Sequence, residues 1–112
     1  MHMADGLLSP EVGVAMWAVT AGATAYGIKK ITDSDLSEKK LPVMAVSGAF
    51  VFAAQMINFT IPGTGSSGHI GGGILLAMLL GEFPAFLTIA SVLVIQCLIF
   101  ADGGLLALGA NI

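Results

Sequence analysis

Asn58-Phe59-Thr60-Ile61-Pro62-Gly63-Thr64-Gly65-Ser66-Ser67-Gly68-His69-Ile70-Gly71-Gly72-Gly73 is the stretch that decides the fold. An apolar run of helical length ends in a loop of Pro, Gly, Ser and Thr. That loop delivers His69 to the start of the next apolar run. The pattern predicts two helices that meet the loop at one end of a bundle. The other histidine in the chain is His2, and the expectation is that His2 and His69 meet around a divalent transition metal at that end.

Working outward, the composition points to lipid. The chain is 56% hydrophobic and 10% charged, with a mean hydropathy of +0.95. A soluble domain is nearer ~25% charged, so this chain has too few charges to cover a water-facing surface. Long apolar runs then read as membrane segments. The formal charge is −3 and arginine is absent, which leaves no electrostatic footprint for nucleic acid. Cys97 is the lone cysteine, so an intrachain disulfide is excluded and the thiol reads as a small apolar packing residue. The six dispersed methionines read as core packing too.

The start Met1-His2-Met3-Ala4-Asp5 carries no Lys or Arg and so does not begin a cleavable signal. The expectation is that the amino terminus is retained. Ser9-Pro10-Glu11 marks a helix start, with Ser as N-cap, Pro at the first helical position and an acid in the first turn. The apolar run continues to Ile28 and ends at Lys29 and Lys30. A charged connection, Thr32 to Lys40, carries Asp33, Asp35, Glu38, Lys39 and Lys40 and reads as solvated. A second helix is predicted from near Pro42 to about Asn58, a short third from Ile70 to Leu80, and a fourth from Glu82–Pro84 to Phe100. Small residues four apart (Ala18 and Gly22, Ala21 and Ala25, Ala45, Ala49 and Ala53) predict close helix packing in lipid, internal in preference to docking of a separate subunit.

The predicted fold class is therefore all-α: a multi-pass transmembrane bundle of four helices plus the start of a fifth in Leu105–Ile112, forming a single domain over residues 1–112. Eight apolar residues cannot cross a bilayer, so the expectation is a fragment or amino-terminal portion of a longer protein. All four lysines lie at or beside the first connection, which the positive-inside rule places in the cytoplasm. The amino terminus, the Asn58–His69 loop and Asp102 then emerge together outside, with Asp5 and Glu11.

A histidine at position 2 is a chelator. The Met1 amine, the His2 backbone nitrogen and a His2 imidazole nitrogen can close two adjacent small rings on one metal, and His69 would complete a plane. Four nitrogens in a square suit Ni(II) or Cu(II), whereas Zn(II) prefers a tetrahedron; Co(II) fits a strict plane less well. The competing reading of His69 is a hydrogen-bonded or capping residue at a helix end. Polar residues at membrane depth are costly and tend to be functional, which favours the metal. The Gly63–Gly68 loop is not a phosphate loop, because no Gly-Lys-Ser/Thr follows.

Met1-His2-Met3-Ala4-Asp5-Gly6, Phe50 to Phe59, Pro62-Gly63 with Ser67-Gly68-His69, and Ala101-Asp102-Gly103 through Asn111 resemble the CbiM/NikM family. These are the substrate-binding components of energy-coupling-factor transporters for nickel and cobalt in prokaryotic cell membranes. Thr60 stands where that family more often has proline, and the loop before His69 is slightly longer than in some relatives, differences that bear on loop shape. The resemblance implies metal ligation by the Met1 amine, the His2 backbone and side-chain nitrogens, and His69; Asn58 and Ser67 are the residues expected to support these ligands from beside them. It implies Ni(II) as substrate, or Co(II), and no resident cofactor. It also implies partners: a membrane coupling subunit, a pair of cytoplasmic ATPases and a small accessory membrane subunit. Catalysis is not expected in this chain. The alternatives are a cobalt-specific component serving cobalamin synthesis, a membrane metalloenzyme using Asp5, Glu11 or Asp102, and an assembly subunit without a ligand.

Overall fold

The computed structural model describes residues 2–34 and 37–112; Met1 and, in the charged connection, Asp35 lie outside the described residues. Helix α1 spans Pro10–Thr32 and α2 spans Ser37–Gln55. Strands β1, Phe59–Ile61, and β2, Ser66–Gly68, follow, then α3, Gly73–Leu80, α4, Glu82–Phe100, and the short α5, Leu108–Asn111.

Helix α1 begins as its residues dictate. The Ser9 hydroxyl accepts from Val12 N–H at 3.4 Å, and Pro10 fills the first helical position, where its missing N–H costs nothing. The helix runs on through Lys29 and Lys30 to Thr32, past the expected end at Ile28. Helix α2 starts at Ser37 and includes Pro42. The proline lies near the start, so the helix needs to forgo only one early backbone bond there. Its last residue is Gln55, short of the expected Asn58, because the chain turns there into a strand.

That turn corrects the all-α expectation. Phe59, Thr60 and Ile61 pair antiparallel with Gly68, Ser67 and Ser66. Thr and Ile favour extended backbone, and Gly63 and Gly65 adopt φ of +76° and +67°, which glycine takes without a Cβ clash. The Thr64 hydroxyl donates to Ile61 O at 3.0 Å and accepts from Ser66 N–H at 3.1 Å, which closes the turn.

Helix α4 is the central element, packed against α1, α2, α3 and α5. It buries Pro84, Ala85, Thr88, Ala90, Val92, Leu93 and Gln96. Its hydroxyls are hidden by back-bonding: Thr88 donates to Pro84 O at 2.7 Å and Ser91 to Leu87 O at 2.8 Å. Beside α4, Val51, Leu76, Leu80 and Ala85 form an apolar cluster with Met44 and Ile89 against it. A buried amide pair lies nearer the loop end. Gln96 Nε2–H donates to Gln55 Oε1 at 3.0 Å, and Gln55 Nε2–H donates to Gly71 O.

Among the described residues, α4 alone is both long and apolar enough to cross a membrane. Helices α1 and α2 have 23 and 19 residues, but α1 carries charges near both ends and α2 carries Glu38, Lys39 and Lys40 at its start. Helix α3 has eight residues, roughly 12 Å at ~1.5 Å per residue, well short of a hydrocarbon core of ~30 Å. Large apolar side chains are nonetheless widely exposed, among them Val14 and Val19 on α1, Val46 and Phe50 on α2, and Leu98 and Ile99 on α4.

The small-residue prediction needs correction as well. Ala18, Ala21, Gly22, Ala25, Ala45, Ala49 and Ala53 are exposed. Other small residues make the internal seams. Gly13, Thr20 and Gly27 are the buried residues of α1, and Gly109 lies so close to α1 that an added Cβ would sit 2.7 Å from Trp17 N. The Thr20 hydroxyl donates to Gly109 O at 2.7 Å across that seam.

Helix direction sets the two ends of the bundle. Lys40 Nζ reaches Leu80 O at 3.4 Å and Tyr26 stacks edge-on to Phe83, so the end of α1, the starts of α2 and α4 and the end of α3 gather at one end. His2, the strand ribbon, His69 and Asp102 gather at the other.

Candidate metal centre

The chain start is held there by backbone and side-chain bonds from three segments. His2 pairs antiparallel with Ser67, whose N–H donates to His2 O at 3.3 Å. Ala4 N–H donates to the Ser66 hydroxyl at 3.3 Å. The opposite side is held from beyond α4. Gly104 N–H donates to Met3 O at 3.0 Å. The Asn111 amide takes Met3 N–H at 2.8 Å and returns a bond to Met3 O at 3.2 Å. The Asp5 carboxylate accepts Ala107 N–H at 2.9 Å. The first residues thus lie between ribbon and carboxy-terminal segment, and the His2 residue is 1% exposed.

His69 enters from the end of β2. Its Nδ1 lies 2.7 Å from Ile70 O. A carbonyl only accepts, so Nδ1 carries the proton and Nε2 of the neutral ring presents its lone pair. That Nε2 lies 2.9 Å from His2 Nδ1, with the ring centroids 4.6 Å apart. Asp102 completes the cluster: its Oδ2 lies 3.3 Å from His2 Nδ1, and its Oδ1 accepts from the Ser67 hydroxyl at 2.7 Å. One ligand atom each from His2, His69 and Asp102 lie within 4.8 Å of one another.

The expected residues distribute unevenly. His2 and His69 are brought together and Ser67 stands against both His2 and Asp102. Asn58 is exposed just before β1 and, among the described residues, has no hydrogen bond to either histidine. Met1 is outside the described residues. Of the three acids expected beside the histidines, Asp102 joins them, Asp5 instead braces Ala107, and Glu11 stays exposed in the first turn of α1. Asp102 and Asn111 are the residues that sequence reasoning left without a role beside the histidines. The glycines directly after Asp102 were the available signal, since Gly103 takes φ of 90°, and with Ala101 at 52° it reverses the chain after α4.

Burial holds the His2 imidazole below its ordinary pKa, and the Asp102 charge only partly opposes this. The unfolded chain therefore takes up a proton at ~6.5 while the folded chain resists it. The sign follows: this stability is full above pH ~6.5 and is lost as pH falls through that value toward the lower folded pKa. Thermal melts of the metal-free protein from pH 7.5 to 5 are expected to show a falling midpoint, and His2→Gln is expected to flatten that dependence.

Comparison with known proteins shows the family to which this arrangement belongs. Residues 2–112 match the CbiM family, described as the cobalt uptake substrate-specific transmembrane region. The fused nickel transport protein NikMN of Rhodobacter capsulatus is 40% identical over 111 residues, covering 99% of this chain and 31% of that protein. The cobalt transport protein CbiM of Acetohalobium arabaticum is 35% identical over 117 residues, covering 100% of this chain and 45% of that one. The crystal structure of a truncated transition metal transporter superposes with a TM-score of 0.88 at 41% identity, over 99% of this chain and 51% of the other. The chain thus spans between about a third and a half of the length of these relatives.

Proposed function

Because this chain belongs to the CbiM family of cobalt uptake substrate-specific transmembrane regions, we propose that it captures a divalent transition metal, Ni(II) first and Co(II) next, as part of an ATP-driven membrane transporter. The Met1 amine, the His2 backbone nitrogen, His2 Nδ1 and His69 Nε2 are the proposed ligands. His2 Nδ1 is the imidazole nitrogen that closes a small ring with the backbone nitrogen of its own residue, so the chelate needs this atom turned inward.

The observation that carries the reading is the 2.9 Å between His69 Nε2 and His2 Nδ1. Metal–nitrogen bonds of ~2.0–2.1 Å set two ligands ~2.9 Å apart at a right angle and ~3.4 Å apart in a tetrahedron. The observed edge is that of an N–H···N hydrogen bond and is compatible with two neighbouring ligands on one ion, the planar nickel arrangement proposed here. Without metal the two nitrogens share a proton, which the ion would replace. His69 Nδ1–H bonding to Ile70 O fixes the ring in the tautomer that binds through Nε2, the outer support that histidine ligands ordinarily have.

The metal enters from outside the cell in this reading. Lys29, Lys30, Lys39 and Lys40 would face the cytoplasm, the opposite end from the histidines. The exposed apolar faces of α1, α2 and α4 favour a multi-pass chain covered by lipid and by further helices. The chain carries no nucleotide-binding motif, so ATP hydrolysis would belong to a cytoplasmic ATPase pair, coupled through a membrane subunit and aided by a small accessory membrane subunit. A catalytic role would need an open metal position with a general base converging on it, and a four-nitrogen plane leaves little room for such chemistry.

The chain, purified in detergent without an amino-terminal tag, is expected to hold about one nickel per polypeptide and to retain it against excess zinc. Zinc displacing nickel readily would remove the planar site. Cobalt displacing nickel would make cobalt the substrate.

A further inference from the structure

The Asp102 carboxylate lies beside the proposed site but outside its nitrogen set. We infer that Asp102 is the charge-balancing and positioning residue of this metal centre, an inference that rests on the metal-capture reading above. Its Oδ1 is fixed by the Ser67 hydroxyl at 2.7 Å, and its backbone N–H is held by Gln96 O at 3.1 Å. Ala101 adopts φ of 52°, a left-handed conformation that a side chain rarely takes, directly before it. Such an outlier persists only where the surroundings hold it, and here it ends α4 with the carboxylate turned onto His2. Oδ2 is buried without a hydrogen bond among the described residues and faces His2 Nδ1 at 3.3 Å. A carboxylate in that state needs a positive neighbour.

Charge counting supplies the reason. A divalent ion bound through a deprotonated backbone nitrogen, an amine and two neutral imidazoles leaves one net positive charge in a buried place. Uncompensated buried charge is costly. One carboxylate brings the total to zero. The same carboxylate faces the ring of His2 before the ion arrives, so the imidazole is held with Nδ1 toward His69. His2 Nε2, on the far side of the ring, has no hydrogen-bond partner among the described residues to compete for that orientation. Asp102 thus acts on the metal through the histidine and through space.

Two substitutions separate charge from shape. Asp102→Asn keeps the size of the side chain and a group to meet the Ser67 hydroxyl, but removes the charge. Asp102→Glu keeps the charge and changes its reach. Nickel binding is measured directly on each untagged protein, together with the visible ligand-field spectrum of the complex and the melting temperature of the metal-free form. Asp102→Asn is expected to weaken nickel at least tenfold, in the ~10–100-fold range that outer partners of metal ligands command. The ligand-field band is expected to stay in place because the nitrogen set is unchanged. Asp102→Glu is expected to recover part of the loss. Nickel affinity within threefold of the unaltered chain for Asp102→Asn overturns the inference. Equal losses in Asn and Glu variants, or a displaced spectrum, would mean that shape and not charge is at work, and overturn it too. An unaltered chain that fails to bind nickel fails the capture reading itself, and this inference with it.

Discussion

Acetylating the amino terminus of this chain, or adding one glycine ahead of Met1, is expected to abolish nickel binding, and His69→Ala is expected to do the same. Either change at the terminus turns an amine into an amide and opens the first of the two chelate rings. His69→Ala removes the one ligand that comes from a distant segment, 67 residues from His2. Each loss should exceed the ~10–100-fold that mutation of an outer partner costs, because a ligand bond itself is gone. Acetylation changes no side chain, so it separates the chemistry of the amine from the packing of the segment. Isothermal titration of the untagged protein checks all three. Unchanged affinity after acetylation would remove the terminal chelate and leave at most a two-histidine site.

The second large effect is expected at Gly104. A Cβ at this position would run into the Asp5 carboxylate and also the Asp5 backbone nitrogen. A side-chain tip can swing aside, but that backbone is held by its neighbours Met3 and Ala4. Gly104→Ala should therefore destabilise by about 1–3 kcal/mol, the usual cost of overpacking. It should also push residues 2–5 off the ribbon and lower nickel affinity. Gly22→Ala is the control, since an added Cβ there meets nothing within 4 Å in the exposed face of α1. It should stabilise by roughly 0.5–1 kcal/mol, as alanine does over glycine in a helix. Thermal melting with and without nickel separates the two variants. Equal melting temperatures for Gly104→Ala and the unaltered chain would mean that the amino-terminal segment is not held where the hydrogen bonds place it.

Much of this arrangement was legible before any coordinates. The capping serine, the proline at the helix start and the two apolar runs around His69 carry local signals, and they place α1, α3 and α4 closely. The common end of His2, His69 and Asp102 follows from counting helices, because each crossing reverses the chain. The ribbon was not legible. Its strands are three residues each, too short for an alternating pattern, and the glycines that make its turn look the same as those of an open loop. Asp102 was visible as an acid on the right side, but its role depends on φ at Ala101, which no residue type announces. Nor did spacing reveal the seams of α1. Alanines four apart suggested close packing, whereas Gly13, Thr20 and Gly27 lie seven apart and meet α4 and the carboxy-terminal segment.

The bonds between Met3 and Asn111 join residues 108 positions apart. A ribosome working at ~5–20 residues per second makes Met3 many seconds before the asparagine that holds it. On the proposed reading, the metal grip would form only once α4 and α5 exist, because Asn111 closes onto Met3. If the chain captures nickel as proposed, loading would wait for these late-made residues.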